Sequence, residues 1–78
     1  MVAYDSWHLT LYLKRYVASE LRAKASEREI QDNVTRYLTK IGYRISSVIM
    51  DFHAPALVIA GEGKIPLRDR IDALFTKI

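Results

Sequence analysis

The chain has 78 residues, of which half are hydrophobic and 27% are charged, a balance typical of one small globular domain. It contains no cysteine, which excludes disulfides and thiolate metal sites, and its two histidines are too few to predict a structural zinc site. The net charge of +3 is mild, and because acidic residues are interleaved with the basic ones, charge alone is weak evidence for a nucleic-acid partner.

No stretch of the sequence approaches the roughly 18 consecutive apolar residues that a membrane-spanning helix needs. We therefore expect a cytoplasmic protein with no membrane partner, and no motif suggests a cofactor. Residues 1–78 are predicted to form a single domain, because so short a chain has no room for a second core. A domain of this size has modest stability, and without disulfides or a metal, self-association is the remaining way to increase it.

Residues 6–14 alternate between apolar and polar side chains, a pattern that predicts a β-strand. The same segment also fits a helix, but Trp7 and Leu11 would then point away from Leu9 and the helix would be apolar nearly all round. We favour the strand, followed by a short helical or irregular piece over residues 18–25. The helix remains the alternative.

A helix is predicted over residues 26–41. Ser26 and Glu29 form a capping box, in which the Ser26 hydroxyl accepts from the amide of Glu29 and the Glu29 carboxylate reaches back to the amide of Ser26. Gly42 follows at the position where a left-handed residue ends a helix. The apolar positions behind the box recur at helical offsets: Ile30, Val34, Tyr37, Leu38 and Ile41.

Two strands and a second amphipathic helix are predicted for the rest of the chain. Residues 44–52 are rich in β-branched and apolar side chains, and residues 56–60 form a short apolar run typical of a buried strand. Pro55 lies in the break between them, since it cannot donate to a strand ladder. Pro66 suits the first turn of a helix over residues 65–78. The apolar positions of this helix are Leu67, Ile71, Leu74, Phe75 and Ile78.

Together these elements predict an α+β fold of order β-α-β-β-α, with two amphipathic helices on one face of a three-stranded sheet. The order becomes α-α-β-β-α if residues 6–14 are helical. Two helices cover only one face of a sheet, so the other face exposes apolar side chains, as contact surfaces do. We predict that Tyr12, Ile45 and Ile49 lie on this open face and bind protein.

Catalytic motifs are not found. Asp51 and His53 have the spacing of a base with an orienting carboxylate, but no nucleophile motif accompanies them. We favour turn chemistry for this pair, with Asp51 capping the bend and His53 solvated. Residues 61–64, Gly-Glu-Gly-Lys, lack the spacing of a phosphate-binding loop and are predicted to connect a strand to a helix. The sequence therefore does not predict an enzyme.

The preferred hypothesis is a small regulatory or adaptor protein that binds a larger protein and self-associates through an open sheet face or edge. The alternative is a small nucleic-acid-binding protein that uses a basic helical face, and it predicts an affinity that falls steeply with salt. The basic residues assigned to that alternative are Arg22, Lys24, Arg28, Arg36, Lys40 and Arg44.

Overall fold

The computed structural model describes residues 5–75, and the side chains of residues 5–72. The elements in chain order are β1 (Ser6–Tyr12), α1 (Arg15–Lys24), α2 (Glu27–Lys40), β2 (Arg44–Asp51), β3 (Ala56–Glu62) and α3 (Arg68–Phe75). The predicted α+β class is confirmed, and the first segment is the predicted strand rather than a helix. Residues 18–25, which were predicted to be a short helical or irregular segment, belong largely to the regular helix α1.

The three strands form an antiparallel sheet of order β1-β3-β2, so β1 and β2 are its two edges. The β1–β3 ladder runs without interruption, with Trp7 opposite Gly61. The β2–β3 ladder shifts register between Ile45 and Ser47, so Ser46 is the extra residue of a β-bulge. A bulge changes which side chains share a face on its two sides.

One side of the sheet, which we call the covered face, contributes side chains to a hydrophobic cluster that includes residues of all three helices. Leu21 of α1 and Ile71 of α3 join the same hydrophobic cluster as the buried stripe of α2. The covered-face members of this cluster are Trp7, Leu11, Val48, Met50, Leu57 and Ile59. The α2 members are Ile30, Val34 and Leu38, all fully buried. The core therefore lies between the helices and this one side of the sheet.

Helix α2 is capped at both ends by the residues that the sequence predicts, but the Glu29 carboxylate accepts from the Ser26 hydroxyl instead of the predicted Ser26 amide. The Ser26 hydroxyl accepts from the Glu29 amide at 3.1 Å, and it also lies 3.4 Å from Glu29 Oε1, to which it donates. At the other end Gly42 has φ +102°, and Tyr43 N donates to Leu38 O at 3.0 Å. This bond and the left-handed glycine define a Schellman motif, which satisfies a free carbonyl of the last turn.

Helix α3 begins later than predicted. Its first residue is Arg68, so Pro66 and Leu67 precede the helix, and Leu67 is exposed rather than part of the apolar stripe. Arg70 N donates to Leu67 O at 3.0 Å, so the turning of the chain starts after the proline. Ile71 is buried as predicted. The remaining predicted stripe positions lie outside the described side chains: Leu74, Phe75 and Ile78.

Gly61 allows close packing at one end of the sheet. Strand β3 continues through Gly61 to Glu62 instead of ending at residue 60. A Cβ atom on Gly61 would lie 2.5 Å from Trp7 Cζ2 and would also collide with the carbonyl oxygen of Arg44. The Trp7 indole is buried against this backbone, and its Nε1 finds no hydrogen-bond partner within residues 5–75. The missing side chain thus lets the indole lie against the central strand.

Candidate protein-binding edge and face

The side of the sheet opposite the covered face, which we call the open face, exposes large apolar side chains. Tyr12 on β1 is 79% exposed and Ile49 on β2 is 55% exposed. Thr10 and Val58 lie between them in the register, opposite one another on β1 and β3. The structure therefore places two of the three predicted docking residues, Tyr12 and Ile49, on one accessible surface.

Ile45, the third predicted docking residue, lies elsewhere, and its assignment to the open face is wrong. Simple alternation along β2 would put Ile45 on the same face as Ile49, but the bulge at Ser46 reverses the phase between them. Ile45 lies opposite Gly61 in the register and packs, half-buried, against the hydrophobic core. The local sequence does not predict the bulge, because residues 46 and 47 are both serine and neither is a glycine that would indicate an irregular strand.

The β1 edge has unpaired backbone groups. Beyond the two ends of the ladder, Leu13 N donates to Pro55 O at 3.0 Å and Gly63 N donates to Asp5 O at 2.7 Å. Because bonding alternates along an antiparallel pair, the odd-numbered residues of β1 face β3 and the even-numbered ones direct N–H and C=O outward. In the described part of the chain these outward groups have no partner. They belong to Ser6, His8, Thr10 and Tyr12.

At the β2 edge, in contrast, side chains of α2 cap two outward backbone amides, one within the strand and one just beyond its end. The Met50 amide donates to Gln31 Oε1 at 3.0 Å, and the Phe52 amide donates to Glu27 Oε2 at 2.9 Å. The bulge at Ser46 further interrupts this edge. Bulges and covering helices are both known ways of preventing edge-to-edge pairing. Sequence reasoning missed Gln31 and Glu27 because their partners are 19 and 25 residues away.

Asp51 and His53 adopt the turn arrangement that was favoured over an acid–base pair. Asp51 Oδ1 accepts from His53 N at 2.8 Å and from Ala54 N at 3.4 Å. Both side chains are exposed, so no pocket encloses them together. The Asp51 carboxylate therefore holds the backbone of the β2–β3 turn.

The basic residues of the nucleic-acid hypothesis are all exposed, on α1, α2 and the start of β2. Arg36 and Lys40 border a shallow depression along α2 together with Asp32. Arg22 lines a different cleft, with His53. Arg22 and the pair of Arg36 and Lys40 therefore border different depressions, and the nucleic-acid hypothesis stays an alternative prediction.

Comparisons with protein-family models, curated proteins and solved structures find no match to this chain. None of the helices within residues 5–75 has the length and apolar character needed to cross a membrane. The same residues contain no group of three or more histidine, aspartate or glutamate side chains placed to hold a metal ion. The free β1 edge and the open face are therefore the features from which a function is inferred.

Proposed function

We propose that the protein is a small non-catalytic module of regulatory or adaptor type, which acts by protein–protein binding at the β1 edge of its sheet. One observation supports the proposal: the outward backbone groups of β1 are unpaired within the described residues, whereas on the other edge the amides of Met50 and, just beyond β2, Phe52 are capped by side chains of α2. A free edge binds an extended segment through main-chain hydrogen bonds. The proposed setting is the cytoplasm.

The proposed occupant of this edge is a second copy of the chain. Strand β1, with the sequence SWHLTLY, carries no carboxylate, lysine or arginine, so two copies with a net charge of +3 each meet there without opposed like charges. An antiparallel register centred on Leu9 places His8 opposite Thr10 of the second copy, and Ser6 opposite its Tyr12. In this register every outward N–H of the strand faces an outward C=O.

Pairing of the β1 edges would join two three-stranded sheets into one continuous sheet. The two open faces would then form a single surface, to which Tyr12 and Ile49 contribute exposed apolar side chains. The larger protein that such an adaptor regulates is proposed to bind this joined surface. Dimerisation also supplies the burial that a domain of this size lacks on its own.

The edge is tested by introducing charge at its centre. The double variant His8→Lys/Thr10→Lys sets lysines opposite each other in the proposed register, and directly opposed like charges destabilise strand pairing. We expect this variant to be monomeric at concentrations where the parent protein is dimeric, as measured by light scattering or sedimentation. Mixing it with His8→Glu/Thr10→Glu should restore a dimer that contains one copy of each.

The matched control is Ser47→Lys/Ile49→Lys, which adds the same charges to the exposed side of β2 and should leave the dimer intact. If this control dissociates the dimer and the β1 variants do not, the open faces associate and the edge proposal is wrong. A parent protein that stays monomeric at high concentration, and that retains no protein in a pull-down, contradicts the proposed function as a whole.

A further inference from the structure

A cleft unrelated to the β1 edge lies between helix α1 and the turn that joins β2 to β3. We call it the α1 cleft. It has a volume of about 160 Å³ and is lined by Arg15, Ala18, Ser19, Arg22, Phe52, His53 and Pro55. A second recess of about 390 Å³ shares three of these residues and therefore lies next to it. The second recess also includes Ala25, Ser26 and Glu27.

The walls of the α1 cleft are set by two local structures. Arg15, Ser19 and Arg22 are four and seven residues apart along α1, so they share one face of that helix. The opposite wall is the turn whose backbone is held by Asp51, through the amides of His53 and Ala54. The backbone of both walls is therefore preformed, one by the helix and the other by the hydrogen bonds to Asp51.

The charge of the cleft favours an anion. The first recess contains the side chains of Arg15 and Arg22 and no carboxylate. Neither guanidinium has an ion pair or hydrogen bond to any described residue. The two arginines begin about 10 Å apart along the helix axis, from a rise of about 1.5 Å per residue, so both long side chains can reach one bound group. Glu27 borders only the second recess, so within the first recess an anion placed between the two arginines reduces their mutual repulsion.

We propose that the α1 cleft binds a small phosphate monoester. A guanidinium presents parallel N–H donors that match phosphate oxygens, and the Ser19 hydroxyl and His53 imidazole line the same recess as additional hydrogen-bonding groups. A phosphate monoester offers three terminal oxygens to these donors, whereas a carboxylate offers two.

The organic part of the ligand occupies the second recess, which Phe52 and Glu27 border. The phenyl ring supplies an apolar wall. Glu27 already accepts from the Phe52 amide through Oε2, and its other oxygen can accept from a ligand hydroxyl or amino group. Nucleoside monophosphates and sugar phosphates both combine a phosphate with such groups, and they differ in whether a base is present to contact Phe52.

The test is an NMR titration of the ¹⁵N-labelled protein at constant ionic strength, with inorganic phosphate, adenosine 5′-monophosphate, glucose 6-phosphate and uncharged adenosine as separate probes. We expect saturable shifts of the amides around Ser19, Arg22 and His53 with the phosphorylated probes and none with adenosine. Tighter binding of the nucleotide than of the sugar phosphate identifies a nucleotide site, and the reverse order identifies a sugar-phosphate site.

The variants Arg15→Gln and Arg22→Gln should each weaken binding by about tenfold, the loss expected for one charge-assisted hydrogen bond. The matched control Arg36→Gln removes the same charge from a separate surface of α2 and should leave the affinity unchanged. Equal weakening in all three variants shows non-specific attraction to a cationic protein and overturns the proposal. Absence of saturable shifts with all phosphorylated probes also overturns it, and neither result bears on association at the β1 edge.

Discussion

The two edge strands, β1 and β2, pair with the same central strand, yet within the described residues only the β2 side has outward amides capped by side chains. The outward amides of Met50 and Phe52 on that side bond to side chains of α2, and a bulge at Ser46 interrupts the strand. The β1 ladder has no bulge, and no described residue caps its outer side. Two strands with similar local patterns therefore differ in their availability to a partner, and the difference comes from contacts with residues distant in the chain.

The largest loss of stability is expected from a substitution in the central strand β3, at a residue that contacts both edge strands. Gly61 lies opposite Trp7 on β1 and Ile45 on β2, and a Cβ atom there would collide with the indole and with the Arg44 carbonyl. We expect Gly61→Ala to lower the free energy of unfolding by about 3 kcal/mol, the upper end of the range for overpacking a core. Urea denaturation measures this loss.

The control for this prediction is Gly42→Ala. Gly42 has φ +102°, and no described atom lies within 4 Å of the position that a Cβ atom would occupy there, so its substitution introduces backbone strain without a collision. The expected cost is about 1–2 kcal/mol, that of a left-handed conformation in a non-glycine residue. If Gly61→Ala lowers the free energy of unfolding no more than this control does, the Trp7 indole is not packed closely against Gly61 of β3.

An intermediate loss of stability is expected when the side-chain cap of the Met50 amide on the β2 edge is removed. Gln31→Met keeps the approximate volume of the side chain and removes the oxygen that accepts from the Met50 amide. The unsatisfied amide should cost about 1–2 kcal/mol and should exchange faster with solvent, while the Phe52 amide stays protected by Glu27. Hydrogen exchange followed by NMR separates the two amides.

Asp32→Asn, at the neighbouring exposed position of α2, is the control for Gln31→Met and should change neither amide. Unaltered exchange at Met50 in Gln31→Met would mean that Gln31 does not cap the Met50 amide, and the contrast between the two edges would then depend on the bulge and on the Phe52 cap.

The smallest effect is expected on the open face. Ile49 is 55% exposed, whereas its neighbour Met50 is 2% exposed. Ile49→Thr should change the free energy of unfolding of the monomer by about 0.5 kcal/mol or less, while Met50→Ala should cost about 3 kcal/mol. Denaturation at low protein concentration measures both. A large loss in Ile49→Thr would show that the open face is already covered in the monomer.

Sequence reasoning was most successful where the determinants lie within a few residues of one another. The capping box of Ser26 and Glu29 and the left-handed Gly42 define both ends of α2, because a helix end is satisfied by groups one turn away. The alternation along residues 6–14 identified β1 for a similar reason, since successive side chains of a strand point to opposite faces. The start of α3 was placed too early, because Pro66 permits a first turn without requiring one.

The candidate sites were only partly predictable. Tyr12 and Ile49 follow from alternation along a strand, but Ile45 does not, because the bulge at Ser46 arises from the pairing of β2 with β3. Arg15 and Ser19 were missed as partners of Arg22. They precede Arg22 by seven and three residues, a spacing that would have placed all three on one helix face once the bounds of α1 were known.

By itself, the amino-acid sequence predicted the α+β class, the three strand segments and the caps of α2, because capping, alternation and helical periodicity act between neighbouring residues. The tertiary structure alone decided which sheet edge has capped amides and where the α1 cleft forms. Both depend on groups that come close only when the chain has folded, as Gln31 meets Met50 and helix α1 meets the β2–β3 turn. Such contacts leave no local pattern in the sequence, since the two partners of each contact are far apart along the chain.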